Sequence, residues 1–171
     1  MRLTPELTLA RLKGHAAAYL AGREMSAEEL RQKLLHLGGE PDRVELVLEE
    51  FRERGWQDDR RVLALQQRIA ERKGWGPLRL RQQLQGKGLA PELIAEGIQL
   101  QGTEDWIERG VSLLLTRFPS ARSHDERADA KMMRFLAYRG YAQGQALQAM
   151  KQWKLLVAEQ DPDKALPGDQ G

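Results

Sequence analysis

Nine side chains between Arg60 and Lys87 hold the densest chemistry in this sequence. Eight are basic, namely Arg60, Arg61, Arg68, Arg72, Lys73, Arg79, Arg81 and Lys87, and the ninth, Trp75, is an aromatic set between two glycines. Glu71 is the one acid in the segment, which therefore carries +7, whereas the 171-residue chain carries +2 and everything outside the segment −5. Cationic charge gathered in one stretch and supplied mainly by arginine suits bidentate contact with phosphates or carboxylates. These nine are therefore candidate residues for binding a partner or DNA. Gly74 and Gly76 leave Trp75 where no helix buries it easily, so the ring is expected to stack on a base or wedge into a partner.

Two plainer readings compete: a solvated helix face, or pairing with the acidic stretch just upstream. Residues 40–59 hold eight acids against Arg43, Arg52 and Arg54, a net −5. A nonspecific DNA binder gains nothing from such a neighbour, whereas a protein groove can use both signs for register. The balance tilts toward a protein partner, with direct contact to single-stranded DNA as the alternative.

The remaining polar residues do not assemble a catalytic set. His15, His36 and His124 fall in different parts of the chain, none with an acid or second histidine at a metal-ligand spacing. Gly74-Trp75-Gly76 lacks the following Lys-Ser/Thr of a phosphate loop, and adjacent acids such as Glu49 and Glu50 diverge by about 100° on a helix. Cysteine is absent, which excludes disulfides and thiolate metal sites. The expectation is a protein without catalysis, cofactor or metal. No apolar run approaches the roughly 18 residues that cross a bilayer, and the N-terminus does not read as a signal peptide, so a soluble, cytoplasmic monomer is expected.

The elements that must position the basic segment are helices. Charged residues make up 30% of the chain and aromatics 6%, and Leu, Glu, Arg, Gln and Ala dominate, all good helix formers. Thr4-Pro5-Glu6 predicts a first helix start, Ser26 with Glu29 a capping box, and Pro41, Asp58 or Asp59, Pro77, Pro91, Thr103 and Asp125 further starts. Leu30, Leu80 and Met132 fall in register, as do Leu34, Leu84 and Leu136, and Gly38, Gly88 and Gly140, at offsets of 50 and then 52 residues. This predicts an all-α protein built as an elongated array of three tandem three-helix modules. Their bounds are 1–56, 57–102 and 103–154, with 155–171 a disordered acidic tail. At about 100° per residue, Val62, Leu65 and Ile69 face inward and Arg61, Arg68 and Arg72 line up beside them. Trp56, Trp106 and Trp153, each near a module junction, are expected to be packing anchors.

Together these residues resemble the RecX family of bacterial recombinase regulators, over about residues 15–153. Arg23, Glu24, Ser26, Glu29 and Leu30 are similar to the family's R-E-x-S-x-x-E-L, and Gly55, Trp56, Asp58 and Asp59 to its glycine, aromatic and acidic pair. Gly76, Pro77, Arg79 and Leu80 resemble G-P-x-R-I, Lys87, Gly88 and Leu89 resemble K-G-I, and Arg139, Gly140 and Tyr141 resemble R-G-F or R-G-Y. The paired Gly38 and Gly39, and Trp75 beside Gly74 and Gly76, depart from the pattern in loops. The resemblance implies a regulator in DNA recombination, repair and the SOS response. Such a protein binds the RecA recombinase filament on single-stranded DNA and inhibits its ATPase and strand exchange. A helical protein that competes directly for the single strand is the alternative.

Overall fold

The computed structural model describes residues 7–119, 121 and 125–160. The expected start at Thr4-Pro5-Glu6, His124 and the tail from residue 161 onward lie outside the described residues. Those residues form nine helices and no strand: α1 Leu9–Gly22, α2 Ala27–His36, α3 Pro41–Glu53, α4 Asp59–Lys73, α5 Pro77–Gly86, α6 Pro91–Gln99, α7 Thr103–Arg117, α8 Glu126–Arg139 and α9 Gln143–Gln160. Helix α9 runs past residue 154, where the tail was expected to begin. None of these helices is long and apolar enough to cross a membrane.

Local chemistry sets the helix ends. The Thr8 hydroxyl accepts from the Arg11 N–H at 3.3 Å, and Asp125 accepts from Arg127 and Ala128. The Ser26 capping box is complete, since its hydroxyl accepts from the Glu29 N–H and its own N–H donates to Glu29, each at 3.0 Å. The repeat predicted from spacing is also visible in burial. Leu30, Leu80 and Met132 are each 0% exposed, as are Leu34, Leu84 and Leu136, while Gly38, Gly88 and Gly140 all adopt positive φ.

The described chain packs as two compact units. Unit 1 comprises Met1–Gln66 with Gln83–Ala95, and unit 2 comprises Gln67–Gln82 with Glu96–Gly171, so the dividing line passes through α4, α5 and α6. In unit 1, Leu12, Ala16, Leu30, Leu34, Val44, Val47 and Phe51 form the core of α1 to α3. Burial of each large apolar side chain contributes roughly 1.5–3 kcal/mol before conformational entropy is charged against it.

A polar knot secures the start of α2. The Ser26 hydroxyl donates to the Lys87 carbonyl, the Ala27 N–H donates to Asp59 at 2.9 Å, and Gln57 donates to Asp59 and to the Met25 carbonyl. Glu29 meets Arg23 at 3.1 Å and Lys87 at 3.2 Å. Burial opposes the charge on Glu29, but the Ser26 N–H, Arg23 and Lys87 outweigh it and hold the carboxyl below the ordinary glutamate value of 4.5. Arg31, bonded to Glu45 at 2.6 Å, depresses that carboxyl as well. Groups depressed in the folded state contribute stability above their unfolded value and lose it as pH falls through the folded one. Acidifying from about pH 6 to about pH 3 is therefore expected to lower the urea midpoint of unfolding, and Glu29→Gln should show a smaller drop. Equal drops would remove Glu29 as a source of the effect.

Unit 2 is built on Ile107, Val111, Leu114, Met132, Leu136, Ala146, Ala149 and Trp153, from α7, α8 and α9. Tyr141 is also buried, and its hydroxyl has no hydrogen-bond partner among the described residues. Burial pushes its pKa up to about 12 against the pull of Arg109 and Arg139. An orphaned buried hydroxyl costs about 1–3 kcal/mol. Tyr141→Phe should therefore melt at the same temperature as the parent or higher, and a clearly lower melting temperature would show that the hydroxyl is satisfied in solution.

The buried set on α4 differs from the expected Val62, Leu65 and Ile69. Val62, Leu63, Gln66 and Ala70 are buried, while Leu65 and Ile69 are only half-buried. The inward stripe is thus rotated from the one the apolar residues alone suggest. Trp106 and Trp153 are buried as expected. Trp56 is not a buried anchor: it is 51% exposed, with its ring edge-on to Phe51 at 5.0 Å and under Arg54 at 4.8 Å.

Candidate polyanion-binding site

The site in unit 2 begins at the end of α4. The Gly74 N–H donates to the Glu71 carbonyl at 3.1 Å and the Trp75 N–H to the Ala70 carbonyl at 2.8 Å, the paired bonds of a Schellman motif. In that motif the residue after the left-handed glycine folds back onto the helix, which is why Trp75 is 8% exposed instead of projecting into solvent. The expectation that no helix buries it easily is corrected on this ground. Lys73 Nζ lies 5.1 Å from the Trp75 ring centre and the Arg79 guanidinium 5.0 Å from it.

The tail of α8 closes the site. Its terminal carbonyls accept from the first N–H groups of α5: Gly76 donates to Arg139 at 2.7 Å and Leu78 to Gly140 at 2.9 Å. A negative helix end thus meets a positive one, satisfying groups that each helix leaves orphaned. The approach requires two glycines. A Cβ at Gly76 would stand 2.5 Å from the Gly140 oxygen, and one at Gly140 would stand 2.4 Å from the Arg79 Cβ. The Arg139 guanidinium donates to the Lys73 carbonyl, and Arg79 lies 5.6 Å from the Tyr138 ring centre.

Arg72, Lys73, Trp75, Arg79, Tyr138 and Arg139 line an open depression of ≈ 370 Å³. Its lining contains four cations and no carboxylate, and Glu71, the nearest acid in sequence, pairs with Arg109 at 3.4 Å. Like charges held this close repel one another, and a bound anion relieves the repulsion.

The nine candidates from the sequence divide between the two units. Arg68, Arg72, Lys73, Trp75, Arg79 and Arg81 belong to unit 2, whereas Arg60, Arg61 and Lys87 belong to unit 1. Arg68, Arg72 and Arg81 are exposed and form no ion pair with any described residue. Arg61 is committed within its own unit: it bonds Glu24 at 2.9 Å, the Gly55 carbonyl at 2.8 Å and the Trp56 carbonyl at 3.0 Å. It thus ties the end of α3 to Glu24. Lys87 is similarly tied to Glu29, and the Arg60 N–H caps α4 on Asp58 at 2.8 Å. Tyr138 and Arg139 were not among the candidates, although Arg139 stands in a motif whose glycine is in register with Gly88.

Residues 67–98 match the model of the RecX second three-helix domain. The chain is 35% identical over 136 residues to the regulatory protein RecX of Acinetobacter baylyi, covering 80% of this chain and 84% of that one. It is 37% identical over 131 residues to that of Deinococcus radiodurans, covering 76% of this chain and 62% of the relative, so it spans less than two thirds of that protein's length. The crystal structure of RecX from Lactobacillus salivarius superposes with a TM-score of 0.76 at 19% identity, over 86% of this chain and 97% of that one. A second RecX crystal structure gives 0.65 at 20%, over 84% and 73%. Those two likenesses establish an all-helical repeat fold; the sequence relatives establish more. The chain belongs to the RecX family of regulatory proteins.

Proposed function

We propose that this protein binds the RecA recombinase filament assembled on single-stranded DNA, in the cytoplasm and as a monomer, and lowers its ATP hydrolysis and strand exchange. The supporting observation is the surface of unit 2, where Arg72, Lys73, Arg79 and Arg139 converge with no carboxylate among the lining residues and Arg68 and Arg81 are exposed. A surface of this kind suits an acidic protein groove or a phosphate backbone. The acidic run upstream favours the protein groove, because it would repel a naked strand.

The experiment is DNA-dependent ATP hydrolysis by a recombinase from a matching source. A protein that lies along a filament, or blocks its growing end, affects many subunits at once, so inhibition is expected at substoichiometric amounts. Inhibition only in excess over DNA sites would favour competition for the strand, the second reading. No effect on such a recombinase would overturn both.

A further inference from the structure

The depression in unit 2 has properties that contact with an extended polymer does not call for. It is concave and ≈ 370 Å³ in volume, within the range of roughly 300–1,000 Å³ typical of small-ligand sites. A strand backbone carries one charge per phosphate and spreads those charges along its length, so a stripe of cations serves it. Four cations converging on one concavity suit a compact group with more than one negative charge.

The walls are prepared for such a group. The Schellman bonds fix Trp75, and Arg79 lies 5.0 Å from its ring centre and 5.6 Å from that of Tyr138, whose carbonyl accepts from the guanidinium at 3.4 Å. A guanidinium pinned in this way loses less freedom on binding an anion than one on a free stem. Arg139 spends one N–H on the Lys73 carbonyl and has further donors to offer. Tyr138 is 77% exposed, a large share for an aromatic ring beside four cations, and it presents a surface on which a base can stack.

We propose that this depression binds the terminal phosphates of a nucleotide, with Arg72, Lys73, Arg79 and Arg139 on the phosphates and Tyr138 against the base. The source is a free nucleoside di- or triphosphate or the 5′-phosphorylated end of a strand; both present the same chemistry. The site goes beyond filament binding and is measured on the protein alone, so failure of either reading leaves the other standing.

The test is calorimetric titration of the full chain with ATP, ADP, pyrophosphate and adenosine, followed by displacement of ATP with short oligothymidylates bearing a 5′-phosphate or a 5′-hydroxyl. Saturable one-to-one binding of ATP and ADP is expected, with none of adenosine. Arg72→Gln and Arg79→Gln should each weaken ATP about tenfold, the usual worth of one charge-assisted bond. Arg81→Gln, on the same helix as Arg79 but outside the lining, should leave it unchanged. Arg72 is exposed and has no ion pair among the described residues, so its variant keeps the test valid even where the Arg79 variant disturbs the docking of α8. Tyr138→Ala should weaken ATP and spare pyrophosphate. Displacement by the phosphorylated strand alone assigns the strand end as a ligand, and displacement by neither assigns the free nucleotide; each supports the site. Absence of saturable binding at millimolar ATP, indifference to Arg72→Gln and Arg79→Gln, or equal displacement by both strands would overturn it.

Discussion

Replacing Gly140 with alanine should cost unit 2 about 2–5 kcal/mol, a large share of the roughly 5–15 kcal/mol that holds a typical domain together. Two costs combine. At φ 91° an L-residue pays roughly 1–2 kcal/mol that glycine does not. The new methyl would then stand 2.4 Å from the Arg79 Cβ and 2.6 Å from the Arg79 backbone nitrogen. Neither atom can rotate away, so α8 must retreat, at about 1–3 kcal/mol for overpacking and with weakening of the bonds from Gly76 and Leu78. Circular dichroism should show a melting temperature lower by about 8 °C or more, at roughly 4–8 °C per kcal/mol. Gly144→Ala is the control. A Cβ there meets nothing within 4 Å, and alanine favours α9. A Gly140→Ala variant that melts within about 2 °C of the parent would show that the docking of α8 on α5 contributes little.

The same docking occurs in unit 1. There the tail of α5 presents the Lys87 carbonyl to the Ser26 hydroxyl at the start of α2, and a Cβ on Gly88 would stand 2.6 Å from Glu28. Ser26 and Gly76 are 50 residues apart, as are Leu30 and Leu80, and Gly88 and Gly140 are 52 apart, as are Leu80 and Met132. The repeat in the sequence is thus a repeat of helix tail onto helix head. Spacing alone revealed the period, because buried leucines and capping glycines recur at it. It did not reveal the docking, because a helix-ending glycine is fully explained by its own positive φ.

One signal was legible and went unused. After each of Gly55, Gly74, Gly88 and Gly140 comes a large apolar residue whose N–H bonds the carbonyl five residues back: Trp56 to Phe51, Trp75 to Ala70, Leu89 to Leu84 and Tyr141 to Leu136. Glycine followed by a large apolar residue predicts a Schellman motif and hence a ring or branch folded onto the preceding turn. Applied to Gly74-Trp75, that rule places the ring against α4 in advance. Trp56 marks its limit, since the same bond leaves that ring half in solvent.

The basic segment was legible as charge and less so as a site. Helical angles put Arg61 in line with Arg68 and Arg72, and nothing local contradicts that. What gives Arg61 partners within the chain is Glu24, 37 residues upstream, together with carbonyls freed where α3 ends. Glu29 claims Lys87 across 58 residues. Ion pairs of such separation depend on how helices fold back, which a reading of periodicity does not contain. Tyr138 and Arg139 join the site by the same kind of long-range return.

Arg68, Arg72 and Arg81 remain as the cations to remove, and changing all three to glutamine should weaken filament binding roughly 30–100-fold. All three are exposed, so glutamine keeps helix propensity and leaves the core untouched. Exposed charge pairs contribute up to about 1 kcal/mol each, and about 1.4 kcal/mol is tenfold in affinity. Arg61 is left in place, because its loss would free Glu24 and two carbonyls and confuse binding with stability. If the filament's protein surface is the target, ATPase inhibition should fall with filament affinity while binding to naked single strands barely changes. If phosphates are the target, naked-strand binding should weaken too, and the slope of log affinity against log salt should flatten by about 0.7 for each phosphate that is no longer neutralised. A folded triple variant that keeps both its filament affinity and its inhibition would reduce this surface to a solvated face and remove the basis for placing the filament interaction there.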